Sequence, residues 1–579
     1  MRTPLIRALL IAASAFALYA NATTTIAPEY NRMVHWGLMG TAALLAFDGG
    51  APGGRRRAID LGLAALLLVS TIFLIVDYPD YLQRTGLVTT AELVFGLVMI
   101  ALVLEATRRV VGWFLVWMVV AALAYALLGQ HLTGLFAHRG YDLSRLVGAL
   151  YLGSNGVYGL PMEISATFVI MFVIFGELLS RSGGDRWFMD LAFALTGRVR
   201  GGTAMSAVGG SALMGMISGS PVGCVVTVGN LTIPLMHRSG FDREFAGATV
   251  AVASTASMFT PPLMGAGAFL IAEFLQVPYS DVAKAAILPA ALFYFSLLLT
   301  VYLHAVQSGM TTDRAEPRPR LGATLAQYGH MVPPVVVLVL LIYQGRSLML
   351  AAFWSILLTL GFSLLRARTR IDVPTLVTAL EQAARNVVPI AVACAGAGII
   401  EAVINLTGLG FTFSNVLIGL SAGQPFVLLL LVMLAALLLG LPLPPTAVYL
   451  ILAGLTVPAM VNAGFEPMAA HFFIFFYSSM GAITPPVALA AYAAAALSGA
   501  DVDRTGWLGF RLGLAGYLIP FLCMYFSGLL LIGGAGAILA GTAVGAVVIA
   551  AASVLVHAIN RYSRNSASTS RARSSSAAR

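Results

Sequence analysis

Apolar residues run through this chain in long stretches, separated by short polar punctuation. Runs near residues 5–20, 33–47, 58–76 and 91–129 open it, the last interrupted by Glu105, Arg108 and Arg109. A loop-rich stretch, 130–160, holds His131, His138 and Arg139. Further runs cover about 162–180, 203–236, 245–275, 282–306, 331–344, 348–365, 387–404, 408–420, 426–462, 466–497, 507–532 and 534–558. A helix needs ~20 apolar residues to cross hydrocarbon, and the longer runs supply them. A transmembrane barrel would show short alternating segments instead. The pattern predicts an all-α polytopic membrane protein. Its parts are a small helical unit over 1–135, a larger unit over 136–532, an extra helix over 533–558 and a basic Ser/Arg tail over 559–579.

Composition sharpens this. Of 579 residues, 59% are apolar and 10% charged, against about 25% charged in an ordinary soluble domain. That excludes one soluble globular protein, and the end-to-end apolar character excludes a single-anchor receptor. The net charge of +9 is spread over loops and a tail, which is no nucleic-acid footprint. Arg55-Arg56-Arg57 and the tail with Arg561, Arg564, Arg571, Arg573 and Arg579 belong on the cytoplasmic side by the positive-inside rule. Cys224, Cys394 and Cys523 lie far apart in apolar runs and read as small buried hydrophobes. Arg2 and Arg7 before an apolar run resemble a signal peptide. The next apolar run follows closely and no cleavage site stands out, so this reads as an uncleaved first helix.

The larger unit contains a repeat. Leu231-Thr232-Ile233-Pro234-Leu235-Met236 returns as Leu455-Thr456-Val457-Pro458-Ala459-Met460, 224 positions later. At the same offset Thr260-Pro261-Pro262 falls on Thr484-Pro485-Pro486, Pro221 on Pro445 and Ser254 on Ser478. Across 221–262 there are 12 identities in 42 ungapped positions. The repeats span about 160–306 and 385–532.

Each repeat is broken in two places. Pro261-Pro262 and Pro485-Pro486 interrupt apolar runs, removing N–H donors and pushing the preceding residue out of the helical region. Ser218-Gly219-Ser220-Pro221 and Gly440-Leu441-Pro442-Leu443-Pro444-Pro445-Thr446 interrupt two others. They leave arms of only ~15–18 residues, short for a full crossing, so both read as re-entrant hairpins. Irregular backbone at membrane depth survives only when buried in protein or facing a polar ligand. Unwound carbonyls suit a cation and helix N-termini suit a carboxylate, as in secondary transporters.

One candidate cation site therefore joins Ser218, Gly219, Ser220 and Pro221 to Thr255, Ser257, Thr260 and Pro261. The symmetric set is Gly440, Pro442, Pro444 and Thr446 with Ser479, Gly481, Thr484 and Pro485, and substrate is expected between the two. The competing reading of each hydroxyl is a bond back to its own helix. Glu177 and Glu401 match at the 224 offset. Each reads either as a coupling carboxylate or as an interfacial residue snorkelling to the headgroups.

At these residues the chain resembles the fused membrane subunit of TRAP transporters, of the TAXI type. The likeness is carried by Ser218-Gly219-Ser220, Leu231–Met236, Phe245–Ala248, Ala253-Ser254-Thr255, Pro261–Ala266, Ala272-Glu273, Pro278-Tyr279, Lys284–Ala286 and Pro289-Ala290. In the small unit it is carried by Glu105–Gly112. The chain departs from the family pattern at Gly223-Cys224, where Ala-Asn is usual, and at Ala256-Ser257-Met258, where Gly-Gly-Gln is usual. The resemblance implies a four-helix small unit joined to a large elevator-type unit with inverted repeats. It also implies uptake without ATP, coupled to Na⁺ or alternatively to H⁺, and no other cofactor. The implied partners are a periplasmic TAXI-type substrate-binding protein and a small carboxylate substrate. The implied location is a bacterial or archaeal inner membrane, with the tail cytoplasmic. The chain is expected not to be an enzyme. The alternatives are a polytopic channel or a membrane enzyme that needs no binding protein.

Overall fold

Proline and glycine decide where the helices stop. A computed structural model describes residues 2–47, 54–84, 87–197, 199–310 and 321–577, without the side chains of 2–3, 54–57, 217–218 and 561–577. Among the described residues every regular element is a helix. Eleven helical stretches among the described residues are long and apolar enough to cross a membrane. The chain is an all-α polytopic membrane protein.

The interrupted run 91–129 is two helices, Thr90–Val110 and Trp113–Leu128. Gly112 joins them at φ +116°, a conformation that glycine reaches without a Cβ clash. Among the described residues, Arg2–Thr23, Pro28–Ala46 and Gly54–Gln83 precede them.

Two compact units share the chain. The first consists of Met1–Gly184, Ala266–Val282 and Tyr328–Ser478. The helix Val373–Thr407 runs through it, capped where Asp372 accepts from the Thr375 N–H at 3.0 Å. Ala379, Ala383, Ala384, Val387, Val388 and Ala391 give it a small-residue face, fully buried. Small side chains let neighbouring helices approach closely in a membrane. Arg2–Thr23, Pro28–Ala46, Trp113–Leu128 and Ile170–Arg181 pack on it.

Charge staples hold the antiparallel helices Gly54–Gln83 and Thr90–Val110 at both ends. At one end Arg109 meets Asp60 at 2.7 Å and Glu105 at 2.6 Å. At the other, Arg84 meets Asp77 at 2.9 Å and the buried Glu92 at 2.6 Å. Glu92 also closes a capping box with Thr89, which satisfies two backbone donors at the helix start.

The second unit consists of Asp185–Gly265, Ala283–Gln327 and Ser479–Arg579. It contains the first hairpin, Gly202–Ser218 and Pro221–Arg238. The helix Arg243–Ala256 lies against both hairpin arms and against Leu489–Ser498 and Val502–Leu512. It is buried all round from Phe245 to Ala256, as expected of a helix apolar on every face.

Candidate functional site

The two proline pairs end their helices in the same way. After Arg243–Ala256 the chain tightens to a 3₁₀ turn, Ser257–Phe259, and Thr260 is extended at φ −93°, ψ 116°. After Pro467–Met480 it tightens to Gly481–Ile483, and Thr484 is extended at φ −92°, ψ 120°. Pro261-Pro262 and Pro485-Pro486 are both cis. Met264 and Ala488, 224 positions apart, both adopt positive φ, +58° and +36°. Helix resumes at Ala266 and at Leu489.

The hydroxyls at the breaks bond their own helices. Thr255 Oγ1 donates to Ala251 O at 2.9 Å, Ser257 Oγ to Ser254 O at 2.5 Å and Thr260 Oγ1 to Ala256 O at 2.7 Å. Thr484 Oγ1 donates to Met480 O at 2.7 Å. Each threonine beside a proline pair also meets a tyrosine: Thr260 meets Tyr294 at 3.0 Å, and Thr484 meets Tyr517 at 2.7 Å. A hydroxyl has one proton and two lone pairs. With its proton on a carbonyl and one lone pair on a phenol, each threonine oxygen retains a single lone pair. Sequence inspection missed both tyrosines, because they stand 223 positions apart and an ungapped search at 224 steps over them.

The first hairpin tip closes on the first break. Gly219 turns at φ +57°, and a Cβ there would lie 3.5 Å from Met264 O. A Cβ on Gly215 would fall 1.7 Å from the Ser257 Cβ, so glycine alone fits. Ser220 caps the second arm, accepting from the Gly223 N–H at 3.2 Å, with Pro221 in the first turn. Gly219, Ser220, Pro221, Ser257, Thr260 and Pro261 are thus gathered in one unit. Thr255 is buried there against its own helix, and the side chain of Ser218 lies outside the described residues.

Of the symmetric set, Ser479, Gly481, Thr484 and Pro485 belong to that same unit. Gly440, Pro442, Pro444 and Thr446 belong to the other, where Pro425–Gly440 and Pro445–Asn462 form the second hairpin. Pro444 precedes the second arm, and its carbonyl accepts from the Ala447 N–H at 3.0 Å. Glu177 pairs with Arg181 at 3.0 Å, one turn along its helix. Glu401 lies near the end of Val373–Thr407, and no ion pair reaches it among the described residues.

Two broken helices and two hairpins in matched positions stand beside one further observation. Residues 98–538 match the DctM component of the tripartite ATP-independent periplasmic transporters. The chain belongs to this family. Among its relatives is a C4-dicarboxylate TRAP transporter large permease protein of Pseudomonas aeruginosa, 25% identical over 58% of this chain and 78% of that protein. An isethionate TRAP transporter permease protein of Oleidesulfovibrio alaskensis is 24% identical over 62% of this chain and 57% of its own length. A 2,3-diketo-L-gulonate TRAP transporter large permease protein of Escherichia coli is 25% identical over 55% of this chain and 74% of that protein. The family match covers both hairpins and both breaks and begins inside the helix Thr90–Val110.

Proposed function

We propose that this chain is the membrane permease of a TRAP system, of the TAXI type, that imports a small carboxylate delivered by a periplasmic binding protein. An ion gradient drives it, with Na⁺ as the coupling ion and H⁺ as the alternative, and the substrate crosses by an elevator movement. The observation that carries this reading is the matched pair of proline breaks, each with a tyrosine-held threonine. The second arm of each hairpin begins with a proline at the helix N-terminus, Pro221 and Pro445. Helix N-termini favour negative charge. The three relatives above are named for small organic acids, and an anionic group suits those N-termini.

Residues 1–97, ahead of the family match, are read as a fused small subunit within the 1–135 unit. The arginines support an orientation in the inner membrane. With Arg55–Arg57 cytoplasmic, following the chain across successive helices puts Arg108-Arg109, Arg181, Arg243, Arg366–Arg370, Arg504 and the basic tail on the same side. The first hairpin then opens from the cytoplasm and the second from the periplasm, so the repeats are inverted.

Uptake by proteoliposomes tests this. Labelled succinate or 2-oxoglutarate is expected to enter only with the binding protein and an inward cation gradient. Replacing Ser218-Gly219-Ser220 with alanines is expected to abolish entry and preserve expression. Conductance without binding protein or gradient overturns the reading in favour of a channel.

A further inference from the structure

Beside the second hairpin lies a polar pair in neither candidate set. Tyr449, one turn past the hairpin tip on Pro445–Asn462, bonds His471 on Pro467–Met480, hydroxyl to Nδ1, at 2.7 Å. Tyr449 is fully buried and His471 is 5% exposed. Phe274 lies nearly parallel to the imidazole at 5.9 Å and 18°. An ionisable side chain inside a membrane protein is costly and rarely retained for packing alone.

The repeat provides an internal control. At the 224 offset Tyr449 and His471 fall on Val225 and Gly247. A Cβ on Gly247 would meet Ser498 Oγ at 2.9 Å and Ala494 O at 3.3 Å. The first repeat thus fills this place by close packing with no titratable group. The hairpin framework does not need the pair, and only the second repeat carries it.

We propose that His471, held by Tyr449, is a proton-binding site that switches the contact between the second hairpin and the helix Pro467–Met480. The inference rests on the permease reading. With the phenol as donor, Nδ1 of the neutral imidazole accepts the Tyr449 proton and Nε2 carries the ring hydrogen. A proton arriving from water at Nδ1 makes both ring nitrogens donors. The phenol must then turn from donor to acceptor, and its hydrogen needs another partner. Among the described residues the titratable group that acts on the pair is Glu401, whose charge acts on the Tyr449 hydroxyl. Glu466, near the start of the helix that carries His471, accepts from the Ala469 N–H at 2.8 Å.

The test is a histidine titration by NMR on the full chain, labelled with ¹³C at histidine Cε1, in nanodiscs without substrate. One signal, missing in His471→Gln, is expected to travel from its neutral to its charged position between about pH 3 and 7. In Tyr449→Phe that signal is expected to shift its midpoint by about half a pH unit or more. If His471→Gln does not fold, the signal displaced in Tyr449→Phe makes the assignment. A His471 signal that stays fixed across that range, or keeps its midpoint in Tyr449→Phe, overturns the proposal. Because the titration needs neither substrate nor binding protein, it is decided separately from the permease reading. That reading fails if proteoliposomes take up no labelled succinate or 2-oxoglutarate under any ion gradient.

Discussion

Tyr294 holds Thr260 hydroxyl to hydroxyl at 3.0 Å, and Tyr517 holds Thr484 at 2.7 Å. Each threonine proton is already given to a carbonyl of its own helix, so each tyrosine is the donor. The tyrosines come from the helices Ile287–Gln307 and Leu514–Tyr525 that follow the two broken segments. Each contact ties the unwound corner to the next long element of its repeat. A buried hydrogen bond of this kind contributes about 1 kcal/mol. Tyr294→Phe and Tyr517→Phe are each expected to lower thermal stability in detergent by about that amount. Unchanged unfolding midpoints in both variants would remove the tyrosines from the account of the breaks.

Gly215→Ala is expected to be severely destabilising, by about 1–3 kcal/mol or more, because overpacking a closed site forces backbone shifts. The new Cβ would sit 1.7 Å from the Ser257 Cβ and 3.0 Å from its Cα. Ser257→Gly on the same chain should restore much of the loss. Gly361→Ala, in open space within the helix Leu348–Ser363, is the control. It should gain about 0.5–1 kcal/mol. Fluorescence-detected size exclusion after heating compares all three, and no rescue by the double variant would refute the contact.

The Arg84 staple is unequal, with one cation for Asp77 and the buried Glu92. Arg84→Gln leaves two carboxylates side by side and is expected to lower the unfolding midpoint, because like charges then face each other with no cation between them. Asp77→Asn leaves the Arg84–Glu92 pair intact and should cost far less. Thermal unfolding of the two variants decides; equal losses would contradict the arrangement.

Asp372 predicts a dependence on acid. Hydrogen bonds from the Thr375 side chain and then its backbone N–H hold this carboxyl below its usual range. A lowered folded value means stability that is present above the ordinary carboxylate pKa, about 3.9. It is lost as pH falls through the lower folded value. Asp372→Asn keeps a good N-cap without a titrating group. Stability below about pH 4 should therefore fall less steeply in the variant, measured by unfolding midpoint against pH. Parallel curves would exclude the cap as a titrating contributor.

Much of this protein is legible along the chain, for a local reason. Pro261-Pro262 and Pro485-Pro486 remove donors and restrict their neighbours wherever the helix lies, so the breaks, the hairpins and the 224-residue repeat follow from sequence alone. So does the membrane class, since apolar length against bilayer thickness is a one-dimensional comparison. What each side chain touches is not local. That Tyr294, 34 residues on, meets the Thr260 oxygen cannot be read from the sequence around Thr260. The run 91–129 leaves one helix or two open until the φ of +116° at Gly112 divides it. Tyr449 and His471 are 22 residues apart on different helices, and no periodicity links them. Their contact depends on how two helices pack around the turn between them. Backbone breaks are set by residue chemistry at a point, whereas hydroxyl partners and buried pairs are set by helix packing, which only the tertiary structure decides.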